Sequence, residues 1–188
     1  MNIELKQKKE QRNGIIRQLI LILLMSFSYV FVSTINTGAP LPLLLIPCAV
    51  CYATREAPFN SALYGCVCGL LLDSAEGTLT GFNAIILMWS SLFISLLFHY
   101  VLRRNILNFL WLDLVVTVVQ SLLHYLFFYS IWRYDLSGAV FREIFIPEAI
   151  YTNISGVVLY WFTGAVTKAF GTVTEHYIEE KSEDIVRE

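Results

Sequence analysis

The sequence predicts an all-α integral membrane protein, folded as a six-helix transmembrane bundle. Of its 188 residues, 56% are hydrophobic and only 15% are charged, whereas soluble domains carry about 25% charged residues. The charges are concentrated near the two ends and in short connections between long apolar stretches. Several of these stretches reach or exceed the roughly 20 residues that cross a bilayer as a helix. Composition and segment length therefore indicate a chain embedded in lipid.

Turn-forming residues divide the apolar sequence into six predicted helices. Thr54–Pro58 and Arg103–Asn105 are short polar connections between apolar segments. The second helix should be short and irregular, because Pro42 and Pro47 lie within it. The predicted spans are about 15–33, 42–53, 58–73, 80–102, 106–131 and 147–170.

The remaining segments are more polar and determine the predicted orientation. Residues 1–14 form a basic tail, 171–188 form an acidic tail, and Trp132–Phe145 is predicted to be a loop with an interfacial helix. Six spans place both termini on one side, where eleven Lys and Arg residues fall, against two on the other. Positive residues favour the cytoplasmic side. We therefore expect cytoplasmic termini and a first helix that is retained rather than cleaved as a signal peptide.

A four-residue spacing of glycine and aspartate organises the stretch from Gly65 to Ala84. Gly65, Gly69 and Asp73 recur at this interval in an apolar sequence and so fall on one face of a helix. The glycines remove side-chain bulk and let a neighbouring helix approach closely, either within the chain or from a partner. Asp73 is expected to anchor the following turn through hydrogen bonds. The complete motif consists of Gly65, Gly69, Asp73, Gly77, Gly81 and Ala84.

Polar side chains recur along one face of each of the last three predicted helices. On the fifth, Asp113, Gln120 and His124 project within roughly 40° of one another, although Asp113 and His124 are about 16 Å apart along the axis. Such groups should turn away from lipid, either to bond across helices or to line a cavity for a polar ligand or a proton. The polar faces contain Ser91, Ser95 and His99, then Asp113, Thr117, Gln120 and His124, and finally Glu148, Thr152 and Ser155.

The four cysteines lie in apolar segments, and two of them have the Cys-x-x-Cys spacing of a redox or metal pair. An apolar setting favours the neutral thiol over the thiolate that such sites use. The sequence also lacks a phosphate-binding glycine loop, a nucleophile elbow and a His-x-x-x-His pair. We therefore expect no enzymatic activity, no cofactor, no metal and no nucleic acid. The cysteines are Cys48, Cys51, Cys66 and Cys68.

The stretch from Gly65 to Ala84 resembles the hallmark of the MreD family, the bacterial rod shape-determining membrane proteins. That hallmark is a helix ending Gly-x-x-x-Gly-φ-φ-φ-Asp, where φ is apolar, followed by a glycine-bearing turn and a glycine before the next helix. All six motif residues match it, and the chain length, basic N-terminus and six spans agree as well. The irregular helix around Pro42 and Pro47 departs from the common pattern.

The resemblance implies a non-enzymatic scaffold in the bacterial cytoplasmic membrane. MreD-like proteins partner MreC, a single-span protein, within the elongation machinery that contains MreB, RodA and a penicillin-binding transpeptidase. Their fold is similar to the six-helix substrate-binding subunit of energy-coupling-factor vitamin transporters. A transport subunit with a cavity lined by the last three helices is therefore an alternative. A membrane-embedded enzyme that uses Asp113, His99 or His124 is a further one.

Overall fold

The computed structural model describes residues 2–35, 43–77, 79–127 and 146–170, and every regular element in these ranges is an α-helix. The predicted link between the first two helices, the segment Trp132–Phe145 and the acidic tail lie outside the described residues. The all-α class is confirmed for the described ranges. The helices are α1 (Asn2–Ile35), α2 (Leu45–Ala53), α3 (Pro58–Glu76), α4 (Phe82–Tyr100), α5 (Ile106–Tyr125) and α6 (Ile146–Phe170).

Four of these helices are long and apolar enough to cross a membrane. The two that are not correspond to the second and third predicted spans. Helix α3 has 19 residues, but its glycines, serines and Asp73 lower its hydropathy. The candidate spans are Arg12–Thr34, Phe82–Tyr100, Ile106–Tyr125 and Ile146–Ala169.

Helix α1 begins at Asn2, so the predicted basic tail continues the first helix rather than preceding it. Its first turns contain glutamate, lysine and glutamine, which are good helix formers even without tertiary contacts. At the other boundaries, the predicted helices agree with the observed ones to within a few residues. The α-helical assignment of α5 ends at Tyr125, and its predicted end near Ile131 lies outside the described residues.

Helix α2 is the centre of the bundle. It has nine residues, all of them buried, and at 1.5 Å per residue it is about 13.5 Å long, less than half of a bilayer core. It packs against all five other helices. The main contacts among those five run α1–α3, α3–α4, α4–α5, α5–α6 and α6–α1, so they form a closed ring around α2.

The C-terminal end of α2 is fixed by buried polar contacts at the end of the bundle where α2 meets α3. Arg17 of α1 lies 2.9 Å from a carboxylate oxygen of Glu56, and both side chains are almost completely buried. Burial raises the pKa of the Glu56 carboxyl above its ordinary value, and the Arg17 charge opposes that shift. The Glu56 carbonyl accepts hydrogen bonds from Ser61 and Ser95 at 3.2 and 2.9 Å.

Arg55, beside this ion pair, connects α2 to α6. Its Nη2 donates a 3.1 Å hydrogen bond to the Tyr160 carbonyl, and its guanidinium lies 4.9 Å from the centre of the Tyr160 ring. Gly164 leaves room for this approach, because a Cβ there would lie 3.1 Å from Nη2. We call this end of the bundle, where α4 also meets α5 at Arg103 and Arg104, the basic end.

Replacing Arg17 by Met should lower the free energy of unfolding by about 3–5 kcal/mol, because it leaves the Glu56 carboxylate buried without its ion-pair partner. The measurement is the thermal unfolding of the purified protein in detergent. Arg12→Met, on the same helix but exposed, is the matched control and should be close to neutral. The double variant Arg17→Met/Glu56→Gln should recover part of the loss. An unfolding temperature for Arg17→Met equal to that of the native chain would contradict this role.

Candidate functional site

The glycine strip of α3 is a close contact with α4 inside the bundle. A Cβ at Gly65 would lie 2.5 Å from the Leu87 carbonyl oxygen and would also collide with the Ser91 hydroxyl. A Cβ at Gly69 would lie 2.5 Å from the Ala84 nitrogen. Such distances leave no room for any side chain, because the obstacles are largely backbone. The prediction of close helix packing is confirmed, and the neighbour is α4 of the same chain rather than a partner helix.

Asp73 anchors the turn that joins α3 to α4. Its Oδ2 accepts a 2.7 Å hydrogen bond from the Gly81 N–H, and its Oδ1 accepts a 3.0 Å bond from the Asn83 N–H. These donors belong to the first turn of α4, where a helix leaves N–H groups unpaired and where its dipole favours a negative charge. The predicted hydrogen-bonding role of Asp73 is therefore confirmed.

The two glycines of the turn occupy backbone conformations that other residues rarely adopt. Gly77 ends α3 at φ 65°, and its N–H donates a hydrogen bond to the Asp73 carbonyl. Gly81 begins α4 at φ 104°. A Cβ at either position would meet no other atom within 4 Å, so the glycines are required by backbone conformation and not by space.

Asn83 extends the Asp73 anchor into a network that reaches α5. Its side-chain oxygen accepts a 2.8 Å hydrogen bond from Gln120 Nε2, and its Nδ2 donates a 3.1 Å bond to Glu76. The same Glu76 oxygen lies 3.9 Å from His124 Nε2. The network joins α3, α4 and α5 at the end of the bundle opposite the basic end. We call it the acidic end, because Asp73, Glu76 and Glu148 lie there.

The structure places most of the predicted polar faces inside the bundle. Ser91, Ser95, Asp113, Thr117, Gln120 and Thr152 are buried, whereas His124, Glu148 and Ser155 are partly buried. Thr152 accepts a 2.9 Å hydrogen bond from the Leu43 N–H just before α2.

His99 is an exception, because it is exposed and packs its ring edge-on against Tyr100. Each step of four residues rotates about 40° around a helix. The third member of the predicted α4 face has therefore turned away from the core.

Asp113 is completely buried, and neither of its carboxylate oxygens has a hydrogen-bond partner among the described residues. The Thr117 hydroxyl, one turn further along α5, is also completely buried and has no hydrogen-bond partner there. Gln120 Oε1 is in the same situation. Buried polar atoms are nearly always paired in proteins. This α5 face therefore separates into a bonded part, at Gln120 Nε2, and an unpaired part that extends inwards to Asp113.

Sequence patterns missed the partners that make these contacts. Arg17 is a charge inside an apolar run, and that position alone signals a buried partner. Its partner Glu56, however, is 39 residues away in what looks like an ordinary polar turn. Asn83 stands at the start of an apolar segment and has no signal in the sequence that marks its role, although it carries three of the hydrogen bonds at the acidic end.

Cys48, Cys51 and Cys68 are buried in the described structure, and Cys66 is partly buried. All four are free, and Cys48 Sγ lies 3.2 Å from the Tyr52 hydroxyl. Within the described ranges, no three His, Cys, Asp or Glu side chains cluster in a way that could hold a metal ion.

In the described residues, fold and site define an all-helical protein in which five helices surround the short helix α2. Four of the five are capable of crossing a membrane, and a glycine–aspartate turn joins α3 to α4. No family model, curated protein or solved structure matches the chain.

Replacing Gly69 by Ala should lower the free energy of unfolding by about 1–3 kcal/mol, because the new methyl group overpacks the contact with α4. Gly14→Ala is the control, since a Cβ there meets nothing within 4 Å and alanine favours the helix. Thermal unfolding in detergent measures both. A Gly69→Ala protein as stable as the Gly14→Ala protein would show that α3 and α4 are not in close contact.

Replacing Asp73 by Ala should cost about 1–3 kcal/mol of stability, because two backbone N–H groups of α4 lose their acceptors. Asp73→Asn keeps one acceptor oxygen, so its loss should be smaller. Ser74→Ala, which removes an exposed hydroxyl from the next residue, is the control. Hydrogen exchange of the Gly81 and Asn83 amides gives the local readout. Unchanged protection of both amides in Asp73→Ala would contradict the role of Asp73 as the cap of α4.

Proposed function

We propose that this chain is a non-enzymatic membrane scaffold of the bacterial cell-elongation machinery, the role that its resemblance to the MreD family implies. The observation that supports the proposal is the α3–α4 hairpin. Each of the six motif residues has a distinct structural part in it: a close contact at Gly65, Gly69 and Ala84, a cap at Asp73, and two turn conformations at Gly77 and Gly81. A motif used entirely for folding suits a protein that works by its shape.

In this proposal the basic end faces the cytoplasm. Arg55, Arg103 and Arg104 lie there together with the Arg17–Glu56 pair, and positive residues concentrate on the cytoplasmic side of membrane proteins. Both ends of the chain would then be cytoplasmic, and the α3–α4 turn would face outward.

A partner span must then bind the lipid-facing surface, since α4 occupies the glycine strip. The seam between α1 and α6 offers an apolar cleft of about 840 Å³. Leu23, Phe27, Val158 and Phe162 line it, with the small side chains of Ser26 and Ser155 among them. Small residues beside large apolar ones allow helices to pack closely in lipid. We propose this seam as the surface for an MreC-like single-span protein.

The first test is affinity purification from native membranes in mild detergent, followed by identification of the proteins that co-elute. A single-span partner bearing a coiled coil is the expected result. ATPase subunits or a bound vitamin would instead identify a transport subunit.

Val158→Trp should fill the α1–α6 cleft and reduce recovery of the partner several-fold, without destabilising the chain, because this side chain is 69% exposed. Ile85→Trp is the matched control, as it is similarly exposed but lies on α4, away from the seam. Equal partner recovery with both variants would show that the α1–α6 seam is not the docking surface. The scaffold proposal itself would then still be decided by the affinity purification.

A transport subunit that binds a small solute is the second candidate, and the unpaired face of α5 favours it. Asp113, Thr117 and Gln120 offer buried oxygens with no hydrogen-bond partner in the described structure, as a polar ligand would require. Co-purified ligand, or stabilisation of the purified protein by a vitamin-like solute, would support this candidate.

A further inference from the structure

Charge is distributed unevenly between the two ends of the bundle. The acidic end contains Asp73, Glu76 and Glu148, and the described residues place no lysine or arginine there. The described arginines occupy the basic end or, like Arg17, pair close to it. The described charges therefore attract a cation to the acidic end and repel it from the other.

A line of polar groups leads from the acidic end into the bundle. It begins at Glu76 and His124, whose side chains are 17% and 16% exposed. It continues through the bonded pair Asn83 and Gln120. It then passes the unpaired Thr117 on the same face of α5 and finishes at Asp113. Eleven residues of helix separate Asp113 from His124, or roughly 16 Å.

The line stops at α2. Asp113 lies beside the first turn of that helix and against α6: a Cβ at Gly156 would lie 2.7 Å from Asp113 Oδ2 and 3.2 Å from the Pro47 Cβ. From there to the basic end, the centre of the ring is filled by α2, all of whose residues are buried. The polar line thus begins at partly exposed groups at one end of the bundle and ends at α2 on the other side.

Asp113 and Thr117 have hydrogen-bonding capacity that the described residues do not use. An isolated carboxylate in an apolar interior carries a large desolvation cost unless a partner offsets it. The described structure supplies neither an ion-pair partner nor a hydrogen bond to Asp113. Thr117 lies one helical turn away on the same face, so its hydroxyl oxygen and the carboxylate can point to a common position.

We propose that Asp113 and Thr117 bind a small monovalent metal cation such as Na⁺, which enters from the acidic end. The single negative charge of Asp113 favours a monovalent cation, because one buried carboxylate neutralises one positive charge. A divalent ion would leave an uncompensated positive charge inside the bundle. The ligand atoms select the chemical class, because carboxylate and hydroxyl oxygens suit hard cations. Water completes the coordination along the polar line. The proposal does not depend on the scaffold role or on the transport alternative.

The experiment compares the thermal unfolding of the purified chain in NaCl, LiCl, KCl and choline chloride at equal ionic strength. Choline is too large for the site and corrects for general salt effects. Na⁺ or Li⁺ should raise the unfolding temperature by roughly 3–6 °C at about ten times its dissociation constant. Equilibrium dialysis of the native chain with radioactive Na⁺ should give a stoichiometry approaching one ion per chain.

Variants assign the effect to the proposed ligands. Asp113→Asn should abolish the Na⁺-dependent shift, and Thr117→Val should weaken binding at least several-fold. Thr163→Val is the matched control: it is an equally buried threonine whose hydroxyl donates to carbonyls of its own helix, and it should keep the full shift.

Three results would overturn the proposal. The first is the same unfolding temperature in all four salts together with no bound Na⁺ in dialysis, as expected if Asp113 is simply protonated or hydrated. The second is a full Na⁺ response in Asp113→Asn. The third is an equal loss of response in Thr163→Val. Should Asp113→Asn fail to fold, the dialysis of the native chain and the pair Thr117→Val and Thr163→Val still decide the question.

Discussion

The contact between the Asp73 carboxylate and the first turn of α4 is the constraint on which the acidic end depends. Two N–H groups donate to it, which fixes where α4 starts relative to the end of α3. That register brings Gly69 against Ala84 and Gly65 against Leu87 and Ser91. It also sets Asn83 where it can reach both Glu76 and Gln120. A single capped turn thus aligns two helices along their length and orients the polar groups that α5 meets.

The two ends of the bundle differ in how their buried polar groups are paired. At the basic end, Arg17 and Arg55 have direct partners: Arg17 has Glu56, and Arg55 has the carbonyl and ring of Tyr160. From the acidic end inwards, the hydrogen bonds become fewer along α5, and Asp113 has no hydrogen-bond partner in the described structure. Full pairing makes a rigid anchor, whereas incomplete pairing leaves capacity to bind something else. The basic end is suited to holding the fold, and the interior of α5 to recognition.

Sequence reasoning reached the features that depend on local spacing. The four-residue repeat of Gly65, Gly69 and Asp73 predicted both the close packing and the anchored turn, because one helical face carries all three. The same reasoning was wrong for His99, since a four-residue spacing drifts around the helix and the exposed position follows from that drift. It could not find the Arg17–Glu56 pair or the central position of α2. Those depend on contacts between distant segments, which no local pattern records.

The central position of α2 also has a consequence for how the chain assembles. A helix of about 13.5 Å is too short to span the bilayer by itself, and its buried residues obtain their packing from helices on both sides in the sequence. When α2 is synthesised after α1, α3 to α6 have yet to be made. We therefore expect α2 to remain unstably placed at the translocation site until the later helices enclose it. Its burial would then be a late event in biogenesis, and the ring would close around its core rather than grow outward from it.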